Sequence, residues 1–544
     1  MTLGSTPLTD LAPLAVMLPV LGAAVTFMLV GRARAQVAVT IAALALTLVL
    51  TGGLLAAVWD VGVAVVELGG WAAPVGITLV VDRLSALLLV VSTAITLAVL
   101  VYASAQGTVN RDEGGPVSIF HPTFLVLVAG VNNAFLAGDL FNLYVGFEIL
   151  LTASYVLLTM GGTAARIRAG ITYVVVSVVS SVVFLIAIAM IYAATGTVNM
   201  ADLAVKLGEL PTDVQMVLHV LLLVGFGIKA AVFPLSFWLP DSYPTAPAPV
   251  TAVFAGLLTK VGVYAMIRTE TLLFPGEHVN TLLMVVAALT MVVGILGALA
   301  QTDIKRILSF ILVSHIGYMV FGLGLATQAG LTATVFYVGH HITVQTALFL
   351  VTGLIEQRAG TADIDRLGSL ARVAPVVGVL FLVPALNLGG IPPFSGFLGK
   401  VGLMRAGVED GGPLAYVLVG VSALVSLLTL LVMVRVWTRA FWRKVGDVEH
   451  PTPQLVAAHQ RVSSGRGRPL KRLGAGLVLP TTALVGASLA FTVLAGPLYD
   501  LADRAATDML DRSPYIGAVL DDAAAEHAAR TLRQDPTEVH DARR

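Results

Sequence analysis

The sequence has 544 residues, of which 57% are hydrophobic and only 12% charged, and its basic and acidic residues balance to a net charge of zero. Soluble globular chains carry about a quarter charged residues, so this chain cannot cover its apolar surface without lipid. The balanced charge gives no indication of a nucleic-acid partner, and the absence of cysteine excludes disulfides, thiolate metal sites and cysteine-held iron–sulfur clusters.

Apolar runs of about 20 residues, the length that a helix needs to cross the hydrocarbon core, recur along the chain. The first run lacks the basic segment and cleavage site of a signal peptide, so we expect it to remain as a span. About fourteen spans are predicted, starting near residues 9, 37, 81, 120, 140, 169, 214, 247, 279, 304, 330, 375, 412 and 474. The predicted fold class is an all-α polytopic membrane protein.

The loops between these spans alternate in charge. One side, called the basic face below, carries Arg32, Arg34, Arg166, Arg168, Lys305, Arg306, Arg358, Arg366, Arg372, Arg439, Arg443, Lys444, Arg461, Arg466, Arg468, Lys471 and Arg472. The other side, called the acidic face, carries Asp60, Glu67, Asp202, Glu209, Asp213, Glu409 and Asp410. Because Lys and Arg collect in cytoplasmic loops, this pattern predicts a cytoplasmic basic face and an even number of spans with both termini outside.

Proline interrupts two of the predicted spans, the seventh at Pro234 and the twelfth at Pro392 and Pro393. Proline removes a backbone donor and clashes with the preceding turn, so both helices should break within the membrane. When Pro234 is aligned with Pro393, both segments read Pro-x-Ser-x-x-Leu. The two breaks lie five spans apart, which predicts an inverted copy, and broken helices at matching positions are typical of transport pathways.

Ionisable residues inside spans are costly, so each needs a reason. Glu148, Lys229 and Lys260 fall within predicted spans, and Lys400 lies just past the second break. A proton relay is one interpretation. The other is a buried ion pair that only fixes the packing of the bundle, although such pairs stabilise poorly.

Histidines add softer evidence, since histidine titrates near neutrality. His315, His340 and His341 fall in mid-span, with Gln345 close by, and each histidine is equally well interpreted as a hydrogen-bonded packing residue. Two adjacent histidines without a third ligand do not predict a metal site. The sequence contains no Walker lysine, haem or flavin motif and no nucleophile constellation, so we expect no cofactor and an energy source in an ion gradient or a partner.

Four stretches resemble the antiporter-like membrane subunits of respiratory complex I, and most closely the D-type subunit of Mrp-type multisubunit Na+/H+ antiporters. These stretches are Gly138–Glu148, Lys229–Asp241, Ala246–Val250 and Gly390–Phe397. The motifs extend from about residue 80 to 405, and the whole length is similar to that of a D-type subunit.

The resemblance implies fourteen transmembrane helices with two inverted five-helix repeats. The expected units are helices 1–3 in 1–119, the first repeat (helices 4–8) in 120–273, the second repeat (helices 9–13) in 274–442, a basic cytoplasmic loop in 443–473, and helix 14 with a polar tail in 474–544. It also implies a relay of Glu148, Lys229, Lys260, His315 and Lys400. Family members often carry a lysine near Gln345, so His340, His341 or bound water would bridge that point.

The function implied is proton translocation along the buried relay in exchange for Na+, within a complex of other subunits in the bacterial inner membrane. Na+ as the exchanged ion rests on the resemblance alone. One alternative is a proton-pumping subunit of complex I or of a membrane hydrogenase, driven by redox chemistry elsewhere. Another is an assembly scaffold whose buried charges only specify helix packing.

Overall fold

The computed structural model describes residues 8–106, 119–276, 278–464 and 473–520, and these residues are mostly helical. Four basic residues of the predicted loop, Arg466, Arg468, Lys471 and Arg472, lie outside the described residues, as does the tail from 521 to 544. The α-helices in chain order are α1 (Leu14–Met28), α2 (Ala33–Val61), α3 (Arg83–Gln106), α4 (Phe120–Leu136), α5 (Leu140–Thr159), α6 (Ala164–Thr195), α7 (Met200–Lys206), α8 (Thr212–Ala230), α9 (Leu239–Ser242), α10 (Ala248–Val253), α11 (Thr259–Arg268), α12 (Asn280–Leu299), α13 (Ile304–Gly324), α14 (Gln328–Ala359), α15 (Leu370–Val373), α16 (Pro375–Gly389), α17 (Ser395–Asp410), α18 (Pro413–Trp437), α19 (Pro453–Ser464), α20 (Ala475–Val493), α21 (Ala495–Leu510) and α22 (Ser513–Val519).

Twelve helical stretches of the described residues are long and apolar enough to cross a membrane. They are α1 with its preceding turn, α2, α3, α5, α6, α8, α10–α11 with their π-helical turns, α12, α13, α14, α18 and α20. Two shorter apolar helices, α4 and α16, lie at two further predicted positions. The predicted class, a polytopic helical membrane protein, is confirmed.

Side-chain caps fix where several of these helices begin. Asp139 accepts a hydrogen bond from the Asn142 amide at the start of α5, and Asp303 accepts one from the Arg306 amide at the start of α13. These acceptors satisfy amides that the first helical turn leaves unpaired. The long helix α14 ends at Ala359 and is followed by Gly360, whose φ of 75° lies in the left-handed region that glycine adopts without strain.

Three spans form the centre of the bundle. The most apolar windows of Ala248–Leu273 and Gln328–Ala359 are wholly buried, and that of Ile304–Gly324 is nearly so. The outer spans α6 and α18 instead expose large apolar side chains such as Val175 and Leu427. Polar side chains on the central spans are therefore shielded from lipid by a ring of outer helices.

The two proline segments interrupt helices in the same way. Helix α8 ends at Ala230 and is followed by Ala231 in the left-handed region, whereas α16 ends at Gly389 and is followed by Gly390 in that region. In each case a cis peptide bond precedes the proline three residues further on, at Pro234 and at Pro393.

Three features were not predicted from the sequence. An antiparallel hairpin of β1 (Val63–Glu67) and β2 (Thr78–Asp82) lies on the acidic face. The predicted basic loop of 443–473 contains the helix α19, and the predicted polar tail begins with the helices α21 and α22. Helix α21 is amphipathic and packs against α14 and α3, so its apolar side chains are buried by the bundle rather than by lipid.

Candidate functional site

The first cluster joins Glu148 on α5, Ser181 on α6 and Lys229 at the end of α8. The Lys229 ammonium donates a hydrogen bond to the Ser181 oxygen over 2.9 Å, and the Ser181 hydroxyl donates one to a Glu148 carboxylate oxygen. Lys229 is buried, whereas Glu148 is half-buried. Because the hydroxyl can accept one proton while it releases another, this series can pass a proton between the amine and the carboxylate.

The surroundings of Lys229 differ on its two sides. A cavity of about 20 Å³, room for about one water molecule, touches Lys229. Most of the side chains that line it are apolar or aromatic, and Ser177, Tyr173 and Tyr243 contribute hydroxyl groups. Helix α6 runs from the basic face, where Arg166 contacts the Thr245 carbonyl, so Tyr173 and Ser177 lie between that face and the lysine. Part of the cavity lining therefore lies on the basic-face side of the lysine.

Aromatic rings close the other side of the cluster. The Phe184 and Phe226 ring centroids are 4.7 Å apart, and the Phe147 ring lies 6.1 Å from each of them. Phe226 precedes Lys229 on α8 and Phe184 follows Ser181 on α6, so both lie toward the acidic face. The lysine therefore has the small cavity on its basic-face side and the rings of Phe184 and Phe226 on its acidic-face side, while the Phe147 ring, 5.2 Å from the ammonium, borders both.

Lys260 lies at the centre of the bundle with no exposed surface. Its ammonium donates to the Ala255 carbonyl over 2.7 Å, within the π-helical turn Phe254–Leu258. Such turns often occur at functional sites. Two residues later, a Cβ on Gly262 would lie 2.6 Å from the Ala230 nitrogen, so glycine is needed for α11 to contact the end of α8 beside Lys229.

The histidines form a second cluster on α13 and α14. His315 is hydrogen-bonded through Nδ1 to the Tyr337 hydroxyl over 2.9 Å, and its ring centroid lies 5.1 Å from that of His341. Lys260 and Lys400 both lie within electrostatic range of His315 and His341. His315 Nε2 and both ring nitrogens of His341 are buried and have no hydrogen-bond partner among the residues that the structure describes. Buried polar atoms of this kind are commonly bridged by water.

Lys400 stands at the second break. Its ammonium donates to the Leu388 carbonyl over 2.9 Å and to the Ser426 hydroxyl over 3.1 Å, and it lies 5.2 Å from the centre of the Tyr318 ring. His340 is hydrogen-bonded through Nδ1 to Ser395, the first residue of α17, over 3.0 Å. Both side chains thus contact backbone or hydroxyl groups that the interruption of the helix brings into the bundle.

Gln345 occupies a different place from the other residues of the predicted relay. Its amide donates to the Leu308 carbonyl over 2.8 Å, one turn nearer to the basic face than His341. His341, with two unpartnered nitrogens, lies beside His315 instead. Within the described part of the chain, no group of three or more His, Asp or Glu side chains could hold a metal ion.

Hydroxyl groups are the members of these clusters that the sequence did not indicate. Ser181 joins Glu148 to Lys229, Tyr337 bonds His315, and Ser426 bonds Lys400. Serine is common in spans, where it often bonds only its own helix, so no single one could be selected. A signal was nevertheless present, because α6 carries three serines at positions 177, 180 and 181 within an otherwise apolar run.

The chain is similar in sequence to known membrane proteins. Residues 137–426 match the membrane family described as NADH:quinone oxidoreductase/Mrp antiporter. The chain is 41% identical over 467 residues to the D-type subunit of the Na(+)/H(+) antiporter of Alkalihalophilus pseudofirmus, covering 85% of this chain and 90% of that protein.

Two solved structures share the fold. A chain of the Mrp complex from Dietzia sp. superposes with a TM-score of 0.85 at 35% identity, covering 95% of this chain and all (100%) of that one. A chain of the membrane-bound sulfane sulfur reductase, an archaeal respiratory membrane complex, gives 0.83 at 25% identity, covering 94% and 100%. The chain therefore belongs to the NADH:quinone oxidoreductase/Mrp antiporter family of membrane proteins.

Proposed function

We propose that this chain is the proton-translocating subunit of a multisubunit Na+/H+ antiporter in the bacterial inner membrane. As a member of a multisubunit complex it acts as a transporter subunit rather than as an enzyme. The observation that carries the proposal is the hydrogen-bonded series of Glu148, Ser181 and Lys229, which lies within the helical bundle beside a small cavity. Buried ionisable side chains in a bilayer typically mark ion pathways.

The path continues from Lys229 to Lys260, since Gly262 brings the two helices into contact beside them. From Lys260 protons reach His315 and His341, whose unpartnered nitrogens accept bridging water, and then Lys400. His340 adds a polar group beside Ser395 at the second break. Gln345 takes no part in this route, because its amide is held by the backbone of α13.

Movement of charge along this path couples to the membrane potential. One charge that crosses 100 mV gains or loses about 2.3 kcal/mol. When a neighbouring subunit draws the Glu148 carboxylate away, Lys229 loses the charge that stabilises its ammonium and passes its proton toward Lys260. Glu148 is suited to this role because it is half-buried and accessible to a partner.

The proposed function includes a membrane topology of fourteen spans, two inverted repeats and a defined orientation. The twelve long apolar stretches together with α4 and α16 make fourteen spans. The matching breaks after Ala230 and Gly389 support two inverted repeats, in 120–273 and 274–442. The positive-inside pattern supports a cytoplasmic basic face, so a half-channel to the cytoplasm would begin at the small cavity beside Lys229.

A redox-driven pump is the rival with the same fold. The chain is 41% identical to a subunit of a Na(+)/H(+) antiporter but 25% identical to a chain of the archaeal respiratory complex, which favours antiport. Na+ as the exchanged cation is taken from the names of the relatives.

The test uses everted vesicles that contain the whole complex, with a fluorescent probe of the pH gradient and Na+ added to start exchange. Lys229→Ala and Glu148→Gln should each reduce exchange at least about tenfold, as loss of a proton-transfer group does. Lys206→Ala is the control, since Lys206 forms a partly exposed pair with Asp202 on the acidic face. Normal exchange in Lys229→Ala, with a normal amount of complex, would support the scaffold instead.

A further inference from the structure

His219 and Glu270 form a buried pair that the relay above does not use. His219 Nε2 lies 2.6 Å from a Glu270 carboxylate oxygen, and both side chains are almost wholly buried. The imidazole ring also stacks on Phe274, with centroids 4.6 Å apart and an angle of 7° between the planes. His219 lies on α8, and Glu270 on the π-helical turn Thr269–Leu273 that follows α11.

The pair occupies matching positions relative to the two relay lysines. His219 precedes Lys229 by ten residues on α8, and Glu270 follows Lys260 by ten residues on the helix that packs antiparallel to it. Ten helical residues span about 15 Å. The pair therefore lies about half a hydrocarbon core away from both lysines, toward the acidic face.

The other charged side chains around the pair already have partners. These are Arg268 with Asp82, Asp202 with Lys206 on α7, Asp508 on α21 with Arg83, and Arg512, which donates to the carbonyls of Ala204 and Leu272. Asp213, in the first turn of α8, is exposed. Among the described residues, His219 is the side chain that is hydrogen-bonded to the Glu270 carboxylate.

We propose that His219 and Glu270 form a proton-binding site, which exchanges protons with the solution at the acidic face on one side and with Lys229 on the other. A neutral imidazole bonded to a carboxylate carries one negative charge, and uptake of one proton gives an imidazolium–carboxylate pair of zero net charge. Release of that proton to the Lys229 amine restores the negative pair and leaves an ammonium. The site rests on the proposed proton path and extends it to the acidic face.

The aromatic rings of Phe147, Phe184 and Phe226, called the aromatic seal, explain why a separate proton-binding site would be needed on the acidic-face side of Lys229. Phe226 lies between His219 and Lys229 on α8 and its ring contacts that of Phe184, whereas the small cavity that touches Lys229 is lined by Tyr173 and Ser177 on the basic-face side. We expect these rings to keep Lys229 from contacting both solutions at once. Apolar constrictions of this kind pass protons only when water enters them, so the seal keeps the acidic-face site and the lysine apart until the protein changes conformation.

Glu270→Gln tests the site, because the amide keeps the size of the side chain and can still hydrogen-bond His219 but cannot carry the charge. In vesicles containing the whole complex, exchange should fall at least about tenfold and its pH optimum should move. Asp202→Asn is the matched control, which neutralises a carboxylate of a nearby ion pair and should leave both unchanged. An unchanged rate and pH profile in Glu270→Gln, at a normal amount of complex, would overturn the proposal.

A second variant is needed in case Glu270→Gln prevents assembly of the complex. His219→Gln can still donate to Glu270 but cannot be protonated, and it should show the same loss of exchange. Normal exchange in it, or loss of assembled complex in both variants, would make the pair a structural contact and overturn the proposal. Lys229→Ala runs in parallel: if it exchanges normally the proposed function fails, whereas an inactive Lys229→Ala beside a normal Glu270→Gln defeats this inference alone.

Discussion

Lys229 donates its hydrogen bond to the hydroxyl of Ser181, over 2.9 Å, and not directly to a carboxylate. The same hydroxyl donates onward to Glu148, so the buried charge is balanced through an intermediate that can also transfer a proton. A direct ion pair would hold the ammonium more tightly. An intervening hydroxyl leaves the lysine coupled to the carboxylate yet able to lose its proton when the carboxylate moves.

The role of Ser181 gives the first prediction. Ser181→Ala should reduce exchange about tenfold or more, since a hydrogen bond to a charged group is worth roughly 1.5–3 kcal/mol. Ser181→Thr retains the hydroxyl and should restore most of the rate, measured as Na+-dependent loss of the pH gradient in vesicles. Ser92→Ala is the control, because Ser92 bonds only the Leu89 carbonyl of its own helix. Equal loss in the alanine and threonine variants would argue against a proton-carrying hydroxyl.

Lys260 gives the second prediction, which separates charge from proton transfer. Lys260→Arg keeps a positive charge, but guanidinium does not release its proton at accessible pH. Exchange should therefore fall at least about tenfold, with the amount of complex followed on native gels. Lys305→Arg is the control, since Lys305 pairs with Glu356 over 2.7 Å at the basic face. Full exchange with arginine at position 260 would mean that the position needs only charge.

Much of the membrane architecture could be predicted from the sequence, because apolar length and proline chemistry act locally. The interruptions at Pro234 and Pro393 follow from the missing amide of proline, and the helices do end just before them, at Ala230 and Gly389. The hairpin β1–β2 could not be predicted in the same way, since its strands are five residues each and lie between two strongly helical runs. The amphipathic helix α21 was missed, and its segment was predicted to be a polar tail. Apolar residues occur there only at every third or fourth position, so the segment contains no continuous apolar run.

The site was predictable in its charges but not in its connections. Glu148, Lys229, Lys260 and Lys400 stand out because charges are rare inside spans. The groups that join them are ordinary hydroxyls, and the pairing of His219 with Glu270 links residues 51 positions apart in sequence. Such contacts depend on how the helices pack against one another, and this packing cannot be predicted from the residue pattern of one sequence.

His341 gives the third prediction. Its two buried, unpartnered nitrogens and its position 5.1 Å from His315 make it the bridge past Gln345. His341→Leu should reduce exchange at least about tenfold. Gln345→Leu should leave exchange largely intact but destabilise the protein by about 0.5–1.5 kcal/mol, because the hydrogen bond from the Gln345 amide to the Leu308 carbonyl is lost while that carbonyl keeps its partner within α13. Vesicle assays and thermal unfolding of the purified complex separate the two effects, and the opposite pattern would restore Gln345 to the path.

The last prediction concerns the buried ion pair of Asp82 and Arg268, which joins the hairpin to α11. Arg268 also bonds the Tyr264 hydroxyl over 3.2 Å and lies 5.6 Å from the centre of the Tyr515 ring on α22. Asp82→Asn leaves the buried guanidinium without its counter-charge, which costs about 3–5 kcal/mol.

We expect a lower unfolding temperature and less assembled complex in Asp82→Asn, measured by thermal unfolding and native gels. The double variant Asp82→Asn with Arg268→Met should recover part of the loss, because a buried charge is then no longer left unpaired. Asp500→Asn, in a partly exposed pair with Arg504, should have little effect. If exchange per assembled complex also fell in the recovered double variant, the pair would belong to the proton path, since restored stability alone would not explain that loss.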